Sequence, residues 1–339
     1  MSQPKKKIII FNQIPVFEKA SGGGNAWAVQ CINHLKKKNY QISYKLSRDA
    51  SCIFINNSKS FFFEKNFKYF IKKKTYYFNY SDLEKFKKKY PKIPVIQRVN
   101  DTDAHRKSSF IDDNMMKVNA IADFTIYISS WVRKYYLKKG MNPKKFRIIN
   151  NSSDAKIFNL NKKIFWKKNS PFKIGTHHWS DNLAKGFNEY QALDRIIYEK
   201  KIRDIEFFII GNVPAEMQWK ATKIIKPLSG KKLSTKLKSL HAYITASKYE
   251  ASPFHAIEAM QCGLPVLYFK NSGGIADMVN NKYGLIANNK ELLKNVLMLK
   301  KKYFLFIENI KKKKFSLQTK IMLDSYLKII KKNFKDSKN

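Results

Sequence analysis

At 339 residues the chain exceeds what one compact core usually holds, so two domains of ordinary size are expected. Its 44% hydrophobic and 14% aromatic content excludes a disordered chain despite a formal charge of +42, and three scattered cysteines (Cys31, Cys52, Cys262) exclude a disulfide framework or a paired-cysteine zinc site. No apolar run approaches the roughly 18 residues of a membrane span, and the short apolar run before Asn12 reads as a strand rather than a signal peptide, so a reduced, cytoplasmic protein is expected.

In chain order, residues 7–11 read as a strand, 24–38 as a helix, 41–46 and 51–56 as strands, and 81–90 as a helix. Residues 93–99, near-continuously apolar, read as a buried strand. A helix over 112–122, a strand over 124–128, a helix over 131–139 stopped by Gly140 and a strand over 146–149 complete the first half. Residues 159–170 are polar and basic with little periodicity, which marks a linker. Alternation restarts with strands at 172–176, 205–210, 242–246 and 265–269 and helices at 187–200, 234–240, 253–262 and 289–302. The expected domains are residues 1–158 and 171–315, both α/β and doubly wound, with a ligand cleft between them at the carboxyl ends of their strands. An amphipathic stretch within 316–339, carrying Ile321, Leu323, Leu327 and Ile330, is expected to pack on the protein, back across the first domain.

The charge invites a nucleic-acid reading. Against it, only seven of the 67 basic residues are arginines, the side chain that planar phosphate and base recognition favours, and the lysines are spread along the whole chain. No nucleic-acid partner is therefore expected. Such a surface is attracted instead to anionic lipid head groups and to diphosphate-bearing substrates, so peripheral contact with an anionic membrane at the inner face is a further expectation.

The most informative segment runs from Ser247 to Val266 and lies between two predicted strands. Ser252 is placed to cap a helix with Pro253 at its first position, which would point the amides of Phe254, His255 and Ala256 into the cleft at the positive end of the helix dipole. That is a diphosphate site. Glu250 stands just before the helix and Glu258 inside it, so both carboxylates can border one ligand.

The whole phrase, Glu250-x7-Glu258 followed by Ala-Met-x-Cys-Gly-Leu-Pro-Val, resembles the hallmark of the retaining glycosyltransferases of family 4. The resemblance spans most of the chain. It implies a GT-B fold, two Rossmann-like domains facing a cleft, a nucleotide-diphosphate sugar as donor and no metal or other cofactor. It also implies a donor loop at Gly22, Gly23, Gly24 and Asn25, and a phosphate-pairing lysine at Lys185. The arginine that most of the family places a few residues before that lysine is missing here, which leaves neutralisation to Lys185, the helix amides and His177 or His178. Gly211 and Asn212 would take part in donor binding, the nucleobase pocket including residues near Asn212 to Pro214 and Ser229 to Lys232, and His105 would contact the transferred sugar. Arg98, Asn100, Asp101 and Asp103 form a polar group on the acceptor side, where the relatives take a glycan or lipid-linked acceptor. Asp101-Thr102-Asp103 spells a DxD but lies in the acceptor half, away from the donor phosphates, and is read as capping or acceptor contact rather than a metal site. In the implied reaction Glu250 faces the sugar and Glu258 the ribose. Two rivals stay open: a basic nucleic-acid-binding protein, and an inactive GT-B subunit, which the missing arginine keeps alive.

Overall fold

The structure is a computed structural model and describes residues 7–16, 23–58, 77–313 and 316–335. The chain forms two compact units, one of residues 1–151 with 320–339 and the other of residues 152–319.

The first unit carries β1 (Ile8–Phe11), α1 (Gly23–Lys37), β2 (Gln41–Ser43), β3 (Ala50–Ile55), α2 (Tyr80–Lys89), β4 (Val95–Val99), α3 (Asp103–Arg106), α4 (Ile111–Ile121), β5 (Phe124–Tyr127), α5 (Ser130–Lys138) and β6 (Phe146–Ile148). Its strands pair in parallel in the order β2-β1-β3-β4-β5-β6. Parallel strands covered on both faces need continuous apolar runs, and Ile9, Ile53, Phe54, Val95 and Ile96 are all fully buried. Helix α2 starts at a capping box in which Asn79 and Asp82 each accept the other's backbone N–H.

The second unit carries β7 (Phe172–His178), α6 (Phe187–Glu199), β8 (Ile205–Gly211), β9 (Lys223–Ile225), α7 (Gly230–Ser239), β10 (Ala242–Thr245), α8 (Phe254–Gln261), β11 (Val266–Phe269), α9 (Ala276–Val279), β12 (Gly284–Ala287), α10 (Leu292–Lys301) and α11 (Tyr303–Lys313). The strand order is β12-β11-β10-β7-β8-β9, again parallel throughout. Alternation along β8 divides the core: Phe207 and Ile209 pack with Phe187 and Tyr190 on one face, Phe208 and Ile210 with Ala256 and Met260 on the other. The last helix, α12 (Ser316–Lys335), buries Tyr326, Leu327 and Ile330. Tyr326 lies in the first unit, its ring tilted against that of Trp27 with centroids 4.8 Å apart.

Three departures from the sequence reading bear on function. The segment at 159–170 lies within the second unit, where Trp166 joins the core and the buried Lys163 donates to the carbonyls of Lys238 and Leu240 at the end of α7. Strand β7 runs two residues past 176, because its pairing with β8 continues through His177 and His178 to Gly211. Helix α8 begins one residue later than expected: Pro253, in an extended conformation, is the N-cap, and the Ser252 hydroxyl is buried with no hydrogen-bond partner among the described residues.

Candidate functional site

At the carboxyl ends of β7, β10 and β11 three loops are joined backbone to backbone. The Lys248 amide donates to the Ala184 carbonyl at 2.9 Å, Tyr249 to Asn271 at 2.8 Å and Gly274 to Glu250 at 2.8 Å. These strands are adjacent in the sheet, so the loops that follow them converge at one edge. Gly273 has a left-handed backbone (φ +75°), and a Cβ there would lie 2.2 Å from the Glu250 carbonyl oxygen, so only glycine permits the approach. Gly211, at the end of β8, is likewise pressed on the His178 carbonyl, and Asn212 beside it donates to the Trp179 carbonyl at 2.8 Å.

The joined loops bring the Lys185 ammonium within 2.5 Å of the Glu250 carboxylate, both side chains mostly buried. Lys185 ends a short 3-10 turn that opens on Asn182 and closes on Gly186. Helix α8 follows the loop that carries Glu250. Its first amide to bond back along the chain is that of Ile257, to Pro253, so the amides of Phe254, His255 and Ala256 have no acceptor within the helix. No side chain caps this end, which leaves the positive pole of the helix directed at the loops.

Alternation along β7 sends its two terminal histidines to opposite faces. His178 turns to the α6 face, where its Nε2 meets the Thr176 hydroxyl at 3.0 Å and the Tyr190 hydroxyl at 2.9 Å. Burial, reinforced by His255, Lys185 and His177, holds its pKa far below the usual histidine range. Its Nε2 is thus engaged by two hydroxyls of the unit's interior, and burial disfavours the charged ring. His177 turns to the α8 face, with Nε2 3.0 Å from Glu258 Oε2. His255 bonds the Thr245 hydroxyl at 2.9 Å.

In the first unit Gly22 lies outside the described residues, while Gly23, Gly24 and Asn25 belong to α1 rather than to a loop. Asn25 is pinned in two directions to the backbone of Val16. Arg98 is buried, and its three nitrogens donate to Tyr326, Asn56 and Asn151. Asn100 donates to the Asn56 carbonyl at 2.9 Å. Asp101 is paired with Arg106 at 2.9 Å. Asp103 accepts from the Ser108 hydroxyl and from the amides of Ile111 and Asp112. Burial acts to raise the Asp103 pKa, but these donors outweigh it and hold the carboxyl below its ordinary range. The formal DxD is thus spent on an ion pair and a helix cap. His105, in the first turns of α3, is half-buried, its amide donating to Thr102. Among the described residues no group of three or more His, Cys, Asp or Glu has a metal-binding arrangement, and no helix is long and apolar enough to cross a membrane.

Sequence reasoning missed the Glu258–His177 pair and the Thr176–His178–Tyr190 network. The signal was the length of β7: a strand of seven residues puts both histidines on faces rather than in a loop.

Residues 191–314 match the family described as Glycosyl transferases group 1. No curated protein sequence matches the chain. Among solved structures, HepE of Anabaena in complex with UDP superposes with a TM-score of 0.67 at 12% identity, over 96% of this chain and 100% of that one. TarM of S. aureus aligns at 0.60 and 16% over 88% of this chain and 58% of its own length. A sucrose-phosphate synthase of Thermosynechococcus elongatus aligns at 0.57 and 13% over 94% of both. The chain thus has the two-domain α/β GT-B fold, and the stretch that matches the group 1 glycosyl transferase family lies within its second unit.

Proposed function

We propose that this protein transfers a sugar from a nucleotide-diphosphate sugar to a hydroxyl of a glycan or lipid-linked acceptor, with retention at the anomeric carbon. The observation that carries the reading is the Lys185–Glu250 pair beside the uncapped N-terminus of the helix that bears Glu258. HepE and the pneumococcal O-GlcNAc transferase GtfA, which share the fold, have been crystallised with UDP and a sugar.

As the glycosidic bond breaks, negative charge grows on the leaving diphosphate and the anomeric carbon gains oxocarbenium character. Lys185 and the first amides of α8 stabilise the first charge. Glu250 accepts hydrogen bonds from the sugar hydroxyls and favours the second. A diphosphate competes with Glu250 for the Lys185 ammonium, so donor binding exchanges an internal ion pair for one across the substrate. Glu258 accepts from the ribose hydroxyls. The acceptor hydroxyl attacks on the face that the diphosphate leaves and passes its proton to the departing diphosphate oxygen, and no covalent enzyme nucleophile takes part. The lysine-rich surface supports work at a cytoplasmic membrane face, where an anionic, lipid-linked acceptor would concentrate.

The test is release of nucleoside diphosphate from a panel of UDP- and GDP-sugars. Turnover of at least one donor that falls by at least a hundredfold in Glu250→Gln is the expected result. Turnover unchanged in that variant would remove Glu250 from the mechanism, and a protein that binds duplex or single-stranded nucleic acid but no nucleotide would overturn the reading.

A further inference from the structure

His177 is the one side chain of β7 that reaches the carboxylate of Glu258, and the fold restrains it from several sides. Its backbone N–H donates to the Tyr243 hydroxyl at 3.0 Å, and that hydroxyl in turn donates to the His177 carbonyl at 3.3 Å. Its ring stands edge-on to Tyr243, centroids 5.5 Å apart. Nδ1 is buried with no hydrogen-bond partner among the described residues. A proton on Nδ1 would be an orphaned interior donor, so the ring proton belongs on Nε2, where it donates to Glu258 Oε2 at 3.0 Å.

Glu258 is met from the other side by the Ser153 hydroxyl, 3.5 Å from Oε1. One oxygen is therefore held firmly and the other loosely. An ionised carboxylate has about four acceptor positions, so one partner on each oxygen leaves acceptors on both while restraining the plane of the group. A glutamate has three side-chain torsions to fix when it grips a ligand, and the histidine fixes them beforehand.

We propose that His177 is a positioning residue: it holds Glu258 in the one orientation that accepts from the two vicinal hydroxyls of the donor's ribose, and so sets the preference for ribonucleotide over deoxyribonucleotide. The inference rests on the reading of Glu258 as the ribose partner. It assigns to His177 orientation of a carboxylate rather than charge on a phosphate.

The experiment measures affinity for UDP, GDP and ADP, and for the 2′-deoxy counterpart of whichever binds most tightly. The unmodified protein should favour the ribonucleotide by about tenfold or more, the size expected for one hydrogen bond to a charged group. His177→Phe keeps a ring of similar size without the donor and should reduce that preference to about twofold, raising the donor KM far more than it lowers kcat. His177→Gln, whose amide reaches the position of Nε2, should restore the preference. A merely structural role would lower affinity for both nucleotides alike and leave the ratio untouched, and that result overturns the proposal. A readout on the unmodified protein does not depend on any variant folding: long-range nitrogen–proton correlation of the imidazole rings should show Nε2 of His177 protonated, and a protonated Nδ1 overturns the proposal as well. A protein that binds none of the three diphosphates would instead overturn the donor reading itself, an outcome distinct from tight binding without ribose preference, which sinks only the role of His177.

Discussion

The Nε atom of Arg98 donates to the hydroxyl of Tyr326 across 3.2 Å, joining residues 228 positions apart in the chain. The guanidinium also lies 4.2 Å above the Trp27 ring, and Tyr326 packs on that same ring, so β4, α1 and α12 meet at one buried cation. Among the described residues its hydrogen-bond partners are neutral, the other two being Asn56 and Asn151. Burial lowers the Arg98 pKa, with the Tyr326 hydroxyl opposing it. Nearby Cys31 is pushed up to about 12 by burial, with Arg98 pulling the other way, so it is an inert interior thiol.

Tyr326→Phe keeps the ring and removes only the acceptor. An unmet charged donor in the interior costs about 1–3 kcal/mol, so thermal unfolding should begin several degrees lower in this variant. Arg98→Met combined with Tyr326→Phe removes donor and acceptor together and should recover part of the loss. Strictly additive single and double variants would show that the bond contributes nothing.

Lys185 and Glu250 form one ion pair but carry different tasks, and their variants should separate. Lys185→Met removes the charge that meets a diphosphate, so nucleoside diphosphate affinity should fall at least tenfold in calorimetric titration. Glu250→Gln keeps the shape and removes the charge that opposes the anomeric centre, so affinity for the bare diphosphate should hold or rise while turnover collapses. Equal losses of binding in both variants would contradict this division.

Much of the α/β alternation was legible because parallel strands buried on both faces leave runs such as Ile8–Phe11 and Ile205–Gly211 that few other structures explain. Short elements escaped. β9 (Lys223–Ile225) has an exposed lysine and only three residues, and β12 (Gly284–Ala287) offers just Leu285, Ile286 and Ala287, with Ile286 exposed, so neither shows a long buried run. Helix α11 is separated from α10 by the single residue Lys302, with no glycine or proline to punctuate the chain. At the site, Glu250, Glu258 and Lys185 stand out by motif, whereas Tyr190 and Tyr243 read as ordinary core aromatics. Their hydroxyls matter only through partners distant in sequence, such as Ala246 and His177, and no local pattern encodes those.

Gly273 offers a steric test of the loop that carries Glu250. Alanine at this position meets the Glu250 backbone at 2.2 Å to the oxygen and 2.7 Å to the nitrogen, so that backbone must move. Turnover should fall at least tenfold. Gly140→Ala is the control: its φ of +87° imposes a similar conformational cost, about 1 kcal/mol, but a Cβ there has nothing within 4 Å. Gly140→Ala should unfold slightly earlier with unchanged turnover, and equal activity losses in the two variants would refute the steric argument.

Lys163 gives the second unit a pH dependence of definite sign. Burial lowers its pKa to about 7, with Cys262 opposing the shift. Its ammonium donates only to the Lys238 and Leu240 carbonyls among the described residues. An unfolded lysine titrates near about 10.4. Between these values the unfolded chain binds more protons than the folded one, so stability rises with pH from about 7 toward 10 and is smallest below 7, where both states are charged. The full span is of the order of 4 kcal/mol. Measurement should stop near pH 9.5, since unfolded tyrosines ionise at about 10, whereas Tyr190 and Tyr243 are held above that by burial and resist ionisation when folded. Lys163→Met removes the titrating group, so its unfolding midpoint should vary less with pH than that of the unmodified protein. Parallel profiles for the two would exclude Lys163 as the source of the rise.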